Sequence, residues 1–244
     1  MKEEILIKAG KFLMGTYARS FLKMQIKKLE DLPLGAKLFA GNHPTTSDPF
    51  FLSLLTNQPV RILVTANVFE IPVFREYLLG CGHIPVTRGK GKGKEVIDRA
   101  VEYLDQGKNV GIFPEGSLSP ETSHGYGVLP ARSGVARIAL QSGKPVIPVG
   151  IALEKHGIRS REYQFSDRDA VSRWVTKGAY EITVGSPIFF DGDPESEAEV
   201  AAAADLITTE IRKLASISES RLPQFRVKWN SMLSYREIFS TFGG

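Results

Sequence analysis

Short apolar segments alternate along the chain with segments in which apolar residues recur at helical spacing. Apolar runs bounded by Gly, Pro or polar clusters are typical of buried strands, whereas the amphipathic segments predict helices. The predicted strands cover residues 37–41, 60–66, 83–88, 109–114, 145–151 and, late in the chain, 179–190. One predicted helix begins at residue 48, and four others cover residues 72–82, 94–107, 133–143 and 195–217. This alternation predicts an α/β fold in which helices flank a mostly parallel central sheet.

Three of the predicted strands end just before loops that are rich in glycine and polar residues, after residues 41, 88 and 114. In parallel α/β sheets, ligand sites lie outside the carboxyl ends of the strands. We therefore expect these three loops to converge on one site.

The first loop reads GNHPTTSDPF and carries His43 and Asp48. A histidine accepts a proton from an attacking hydroxyl near neutral pH, and a carboxylate on its other ring nitrogen stabilises the imidazolium that forms. The alternative interpretation is structural: Asp48 caps the following helix, with Pro49 at the first helical position, and His43 satisfies a loop carbonyl. The pattern alone leaves both interpretations open.

The other two loops carry candidate binding residues. Glu115 follows the predicted strand 109–114, and Gly116 permits close approach to the backbone. The Glu115 carboxylate could bind a substrate hydroxyl or ammonium, although Pro, Gly and Ser are also the usual residues of a turn. Arg88 ends a strand, which holds its backbone in place, so it is a better phosphate-binding candidate than the lysines of residues 89–94.

The composition excludes several classes of protein. The net charge is +4 and the pI is near 9.1, which favours anionic partners such as phosphates, acidic headgroups or an acidic protein. A single cysteine excludes an internal disulfide framework, and the four histidines are too scattered for a zinc site. The chain lacks a Gly-x-Ser-x-Gly elbow, a dinucleotide-binding glycine pattern after a strand, and an aromatic-rich basic patch. These features argue against a serine hydrolase, a dinucleotide enzyme and a nucleic-acid partner.

The first 28 residues mix bulky apolar side chains with lysines and an arginine. No apolar run approaches the roughly 18 residues that a bilayer-spanning helix needs. Basic residues among bulky apolar ones fit a helix that lies in a membrane interface. The same pattern fits an amphipathic helix packed on the core, and the residues alone favour that interpretation slightly.

Four segments, NHPTTSD, HIPVTRG, FPEGSLS and VIPVGI, occur in the order and at about the spacing of the four glycerolipid acyltransferase motifs. From about residue 37 to residue 152 the chain therefore resembles this superfamily, specifically the lysophosphatidate acyltransferase type. The resemblance implies that Asn42, His43 and Asp48 are catalytic, with His43 as general base and Asp48 as its orienting partner. It also implies direct attack of the acceptor hydroxyl on an acyl thioester, without an acyl-enzyme, a metal or a cofactor.

The resemblance also assigns residues to substrate binding. Arg88 matches the arginine of the second motif, which would hold the acceptor phosphate. Glu115 and Gly116 match the third motif, which helps to bind the acceptor, and Ser117 is assigned to substrate binding with them. The fourth motif, residues 146–151, is expected to contribute to the acyl-chain side.

One position departs from the family pattern. The third motif usually reads Glu-Gly-Thr-Arg-Ser, but this chain has Leu118 at the arginine position. Arg132 lies near a position where the family often has a basic residue, so we expect it to compensate. The departure alternatively indicates an acceptor other than a simple glycerol phosphate.

In the family, an α/β sheet lies beside an N-terminal two-helix module that embeds in one membrane leaflet. The resemblance therefore favours the interfacial interpretation of the N-terminus. It predicts amphipathic interfacial helices over residues 1–30 and one acyltransferase α/β unit over residues 31–244. The protein is expected to be peripheral or monotopic, on the cytoplasmic face of a membrane.

The expected reaction moves a fatty acyl group from acyl-CoA or acyl carrier protein to the sn-2 hydroxyl of 1-acylglycerol-3-phosphate. Its product would be phosphatidic acid for phospholipid synthesis. Two alternatives remain open: the same chemistry on another lysolipid or hydroxylated acceptor, and a non-catalytic lipid-binding protein at the membrane surface. Because the base must be neutral, we expect activity to fall in acid.

Overall fold

The computed structural model describes residues 2–70, 72–87, 92–123, 125–164 and 169–223. Its helices are α1 (Lys2–Ser20), α2 (Asp48–Leu52), α3 (Pro72–Gly80), α4 (Lys92–Asp105), α5 (Ser133–Ser142) and α6 (Glu197–Ser220). Its strands are β1 (Leu22–Lys28), β2 (Leu38–Gly41), β3 (Val60–Thr65), β4 (Ile84–Val86), β5 (Asn109–Ile112), β6 (Val146–Leu153), β7 (Ile158–Gln164), β8 (Asp169–Val175) and β9 (Gly178–Val184).

Within these residues, seven strands form the main sheet in the order β1-β9-β6-β2-β5-β3-β4. The pairs β2–β5, β2–β6, β3–β5 and β3–β4 are parallel, so five neighbouring strands point in the same direction. Strand β9 is antiparallel to β6, and β1 is parallel to β9. The predicted α/β fold with a mostly parallel sheet flanked by helices is confirmed, and the two strands at one end of the sheet run against the rest.

Apolar layers cover the sheet on both faces. Helices α4, α5 and α6 pack on one face around Leu38, Val110 and Val146, and helices α1 and α2 pack on the other around Phe39 and Ile147. Because β2, β5 and β6 are buried along their whole length, they read in the sequence as continuous apolar runs. The carboxyl ends of β2 and β5 therefore lie side by side at one edge of a rigid core.

The N-terminal segment differs from the prediction of helices throughout residues 1–30. Helix α1 ends at Ser20, and residues 22–28 form β1, which pairs with residues 178–184 of β9. The helical prediction is wrong for this segment because Leu22, Met24 and Ile26 alternate with polar residues, which is the period of a strand. Since β1 belongs to the main sheet, residues 22–28 are part of the α/β unit and not of a separate module.

Helix α1 is attached to the body of the protein by polar contacts as well as by packing. The Lys11 ammonium donates to the carbonyl oxygens of Thr56 at 2.6 Å and Gln58 at 3.0 Å. Burial lowers the pKa of Lys11, as expected for a cation that is partly removed from water. Further along the helix, the Tyr17 hydroxyl donates to the Val175 carbonyl at 2.6 Å. These contacts fix one side of α1 and leave the opposite side exposed.

Strands β7 and β8 form a separate two-stranded antiparallel hairpin that the sequence analysis does not predict. The segment 158–175 is rich in charged residues and lacks a long apolar run, so its strand pattern is weak. Val175, at the end of β8, is buried in the core cluster, and Ile158 packs against that cluster. The hairpin is thereby attached to the same face of the sheet as α1 and α2.

Candidate active site

The site begins where β2 ends, and Asn42 continues the pairing of β2 with β6 through its side chain. The Asn42 amide nitrogen donates to the Ile151 carbonyl at 2.9 Å, and the Ile151 amide donates to Asn42 Oδ1 at 2.7 Å. The side chain is fully buried. Both polar groups of Asn42 are therefore engaged by the backbone of Ile151, and the catalytic role predicted for Asn42 stays a prediction.

His43 and Asp48 are brought together as predicted, with 3.0 Å between His43 Nδ1 and Asp48 Oδ2. The Asp48 side chain is 0% exposed and that of His43 is 19% exposed. The imidazole stacks on the Phe113 ring, with 4.2 Å between centroids and 22° between planes. Since Nδ1 faces the carboxylate, Nε2 is the ring nitrogen that can take a proton from an external group.

The buried Asp48 carboxylate is surrounded by donors. Its Oδ2 also accepts from the Thr45 amide at 2.8 Å, and its Oδ1 accepts from the Tyr180 hydroxyl at 2.6 Å and from the Thr45 hydroxyl. Burial, reinforced by the neighbouring Asp48 charge, raises the pKa of Tyr180 well above its ordinary value. Tyr180 therefore remains a protonated donor, and the donors together offset the desolvation of a buried charge.

The prediction that Asp48 caps the helix is wrong. Ser47 is the N-cap of α2, and Asp48 is the first helical residue. Its carboxylate accepts from the Thr45 amide and contacts His43 Nδ1, both of which lie on the loop before the helix. The Asp48 side chain thus contacts the loop, and its backbone position at the start of α2 fixes where the carboxylate lies.

Glu115 joins the loop after β5 to the loop after β2. Its Oε1 accepts from the His43 amide at 3.0 Å and from the Ser119 hydroxyl at 2.6 Å, and its Oε2 accepts from the Leu129 amide at 2.9 Å. Ser119 also donates its own amide to the His43 carbonyl at 2.8 Å. The carboxylate is buried. These contacts hold the His43 backbone, and the acceptor contact predicted for Glu115 stays a prediction.

Gly116 and Arg132 lie together at the turn after β5. Gly116 has φ +67°, a conformation that favours glycine, and a Cβ there would lie 2.5 Å from Arg132 Nε, so a larger residue would also displace the Arg132 side chain. Arg132 Nε donates to the Glu115 carbonyl at 3.2 Å. Arg132 and Ser117 are both exposed beside this turn. Two of the predicted substrate-binding side chains are therefore accessible at the same edge of the sheet as His43.

Arg88 lies outside the described residues, so its assignment to the acceptor phosphate stays a prediction. Within the described part of the chain, no group of three His, Cys, Asp or Glu side chains is placed to hold a metal ion.

Three residues that contact the predicted site residues were not identified from the sequence: Thr45, Ser119 and Tyr180. Thr45 and Ser119 lie inside the quoted motifs, so their proximity to Asp48 and Glu115 in the chain was a usable signal. Tyr180 contacts Asp48 across a sequence separation of 132 residues, and only the position of β9 in the sheet reveals the contact.

A sequence profile of the Acyltransferase family matches residues 23–152, which is more than half of the chain and includes His43, Asp48 and Glu115. The chain belongs to this family.

Comparison with individual proteins agrees. The chain is 29% identical over 132 residues to a chloroplastic 1-acyl-sn-glycerol-3-phosphate acyltransferase of Brassica napus, covering 53% of this chain and 37% of the relative. It is 27% identical over 152 residues to the lyso-ornithine lipid O-acyltransferase of Pseudomonas aeruginosa, covering 62% and 57%. The matched region thus spans about half of the relatives' length or less.

The fold has a counterpart among solved structures. The crystal structure of the 1-acyl-sn-glycerophosphate acyltransferase PlsC from Thermotoga maritima superimposes with a TM-score of 0.59 at 18% identity. The match covers 88% of this chain and 79% of the other chain. At this level of identity the comparison establishes a shared fold.

Proposed function

We propose that this protein transfers a fatty acyl group from an acyl thioester to the sn-2 hydroxyl of 1-acylglycerol-3-phosphate, producing phosphatidic acid. The observation that carries the proposal is the contact of 3.0 Å between His43 Nδ1 and the buried Asp48 carboxylate, in a chain of the acyltransferase family. A paired histidine at the carboxyl end of a parallel strand has the geometry of a general base.

The reaction proceeds in one displacement. The acceptor hydroxyl gives its proton to His43 Nε2 while its oxygen attacks the thioester carbonyl carbon. Asp48 stabilises the imidazolium, and the tetrahedral intermediate then expels the thiolate as the carbon–sulfur bond breaks. The proton on Nε2 passes to the leaving thiolate, so the base returns to its neutral form and no acyl group is attached to the protein.

The acceptor headgroup is bound by the accessible polar residues beside the turn. Arg132 carries an exposed guanidinium there, and Ser117 is exposed next to it. We assign both to the acceptor phosphate, together with Arg88. Glu115 acts indirectly, by holding the amide of His43.

A second acceptor class is a lysolipid without a glycerol phosphate headgroup. Leu118 supplies no charge at the position where an arginine is usual, and one similar protein is named a lyso-ornithine lipid O-acyltransferase. An aminolipid headgroup would need fewer cations from the protein than a phosphate does.

The enzyme is proposed to work at a membrane surface, with helix α1 lying in one leaflet on the cytoplasmic side. The outer side of α1 exposes Phe12 and Leu13, which are 69% and 60% exposed, together with Ile5. Exposed Lys8 and Arg19 accompany them, which suits anionic headgroups. Searched over the described residues, no helix is long and apolar enough to cross a bilayer.

The test uses the purified protein with palmitoyl-CoA or palmitoyl-acyl carrier protein as donor. Lysophosphatidate and lyso-ornithine lipid are offered as acceptors in mixed micelles, and products are identified by mass spectrometry. Phosphatidic acid as the preferred product supports the leading proposal, and acylated ornithine lipid as the preferred product supports the second. Lipid binding to micelles without a new ester from any donor would contradict both and identify a non-catalytic lipid-binding protein.

A further inference from the structure

We propose that Arg173, on strand β8 of the hairpin, is a positioning residue for the acyl transfer and acts by locking together the two loops that hold His43. The inference rests on the proposed function for its kinetic part. No motif of the sequence includes this arginine, and it lies 130 positions from His43 along the chain.

Strand β8 pairs with the catalytic loop through its backbone. The Thr46 amide donates to the Arg173 carbonyl at 2.8 Å, and the Arg173 amide donates to the Thr46 hydroxyl at 3.0 Å. Two residues on, the Val175 amide donates to the Ser47 hydroxyl at 3.3 Å. The hairpin thus holds the segment between His43 and Asp48 from outside the main sheet.

The Arg173 side chain spans the gap between the two loops. Its Nη1 donates to the Pro44 carbonyl at 3.2 Å and to the Ser119 carbonyl at 2.6 Å. Its Nε lies 3.5 Å from a Glu121 carboxylate oxygen, and the guanidinium lies over the Tyr126 ring, 5.3 Å from the centroid. The side chain is only 15% exposed, so these contacts are largely shielded from water.

Both carbonyls belong to residues adjacent to the His43 contacts. Pro44 follows His43 directly, and Ser119 exchanges hydrogen bonds with the His43 backbone. Arg173 Nη1 therefore connects Pro44, which follows His43, to Ser119, whose hydroxyl accepts from the His43 amide. Leu118, beside Ser119, contributes no charge that could replace this bridge.

Removing the guanidinium would leave two carbonyl oxygens, of Pro44 and Ser119, converging without a shared donor. Each would lose a charge-assisted hydrogen bond, and the loops would separate or admit water. A displacement of His43 by about 1 Å costs up to about 100-fold in rate, because the proton and the attacking oxygen must both lie in line. Since Nη1 is engaged by the protein, Arg173 acts through His43 and does not bind the substrate with that atom.

The experiment compares Arg173→Gln and Arg173→Lys with a matched control, Arg161→Gln, which removes an exposed arginine from the neighbouring strand of the same hairpin. We expect Arg173→Gln to lower kcat about 10- to 100-fold with less than about a threefold change in acceptor KM. Arg173→Lys should recover part of the lost kcat, and Arg161→Gln should match the wild type. Unchanged kcat in Arg173→Gln, or a loss confined to KM, would overturn the inference while leaving the proposed function intact.

A second readout does not depend on activity. The Nδ1 proton of His43, shared with buried Asp48, should give a downfield NMR signal that His43→Gln identifies by its loss. We expect this signal to broaden or vanish in Arg173→Gln and to persist in Arg161→Gln. A signal that persists unchanged in folded Arg173→Gln would overturn the inference even if the wild type proved inactive, in which case the proposed function would fail separately.

Discussion

The loop of residues 42–48 and the helix α1 each reverse the usual distribution of polar and apolar side chains. The loop buries a carboxylate completely, in Asp48, whereas the helix exposes two large apolar side chains, Phe12 and Leu13. Charged residues are almost never fully buried unless they are paired, and exposed apolar patches mark surfaces for partners or membranes.

The two reversals differ in how the protein compensates for them. Asp48 accepts hydrogen bonds from Thr45, Tyr180 and His43, so its desolvation is offset inside the fold. Among the described residues, the large apolar side chains on the outer side of α1 are covered by nothing comparable. Within the described residues, the polar groups of the loop are therefore satisfied, whereas the outer side of α1 has no apolar cover. We therefore place the chemistry at the loop and propose a lipid surface for the helix.

The largest expected effect comes from neutralising the buried charge. Asp48→Asn keeps the shape of the side chain but removes the partner of the imidazolium and disturbs the tautomer of His43. We expect kcat to fall about 100- to 10,000-fold, with acceptor KM nearly unchanged. Steady-state kinetics measure the loss, and thermal unfolding confirms that the variant folds. An Asp48→Asn enzyme with near-normal kcat would show that the carboxylate is only structural.

The next effect concerns the exposed helix. Replacing Phe12 and Leu13 together by serine should weaken binding to anionic vesicles at least about 100-fold, since two buried apolar side chains at about 1.5–3 kcal/mol each contribute about 3 kcal/mol or more together. The matched control replaces exposed Phe189 and Leu206, a phenylalanine and a leucine outside α1, in the same way. Vesicle sedimentation measures both. Equal losses of vesicle binding in the two double variants would contradict the proposal that α1 is the membrane-binding surface.

A smaller effect is expected on stability rather than on activity. It concerns His83, whose ring lies beside that of Tyr77 in α3. The Ile62 amide donates to His83 Nδ1 at 2.9 Å, and burial together with the Arg61 charge lowers the pKa of His83 to about 4. In the unfolded chain, His83 takes up a proton below about pH 6.5, whereas in the folded protein it does so only below about pH 4. Stability is therefore full above that window and is lost as the pH falls through it.

Between pH 7 and pH 5 this linkage should remove about 2 kcal/mol from the free energy of unfolding. Urea unfolding of the wild type and of His83→Gln at both pH values measures it. The variant should lose about 2 kcal/mol less than the wild type over this interval, because glutamine does not titrate. Parallel losses in the two proteins would mean that His83 does not titrate as the structure indicates.

Much of the fold and half of the site could be predicted from the sequence because they depend on local pattern. The buried strand β2, the loop carrying His43 and Asp48, and the strand before Glu115 all leave signals within a few residues. The direction of the five parallel strands then follows from the helices between them.

The remaining features depend on contacts between distant segments. Strand β1 was missed because basic residues among apolar ones also fit an interfacial helix, and pairing with β9 decides between the two. The contacts of Arg173 and Tyr180 with the two loops depend on where the hairpin and β9 lie in the fold, which the local sequence does not show. The contacts of Glu115 with His43 and Leu129 could not be predicted for the same reason, since these partners lie on other segments.

The most direct measurement follows thiol release from palmitoyl-CoA and from palmitoyl-acyl carrier protein, with and without lysophosphatidate. Wild type is compared with His43→Ala and with His156→Ala, which removes an exposed histidine after β6. We predict release that requires the acceptor, is abolished in His43→Ala and persists in His156→Ala. Acceptor-dependent release that survives in His43→Ala would contradict the assignment of His43 as the base.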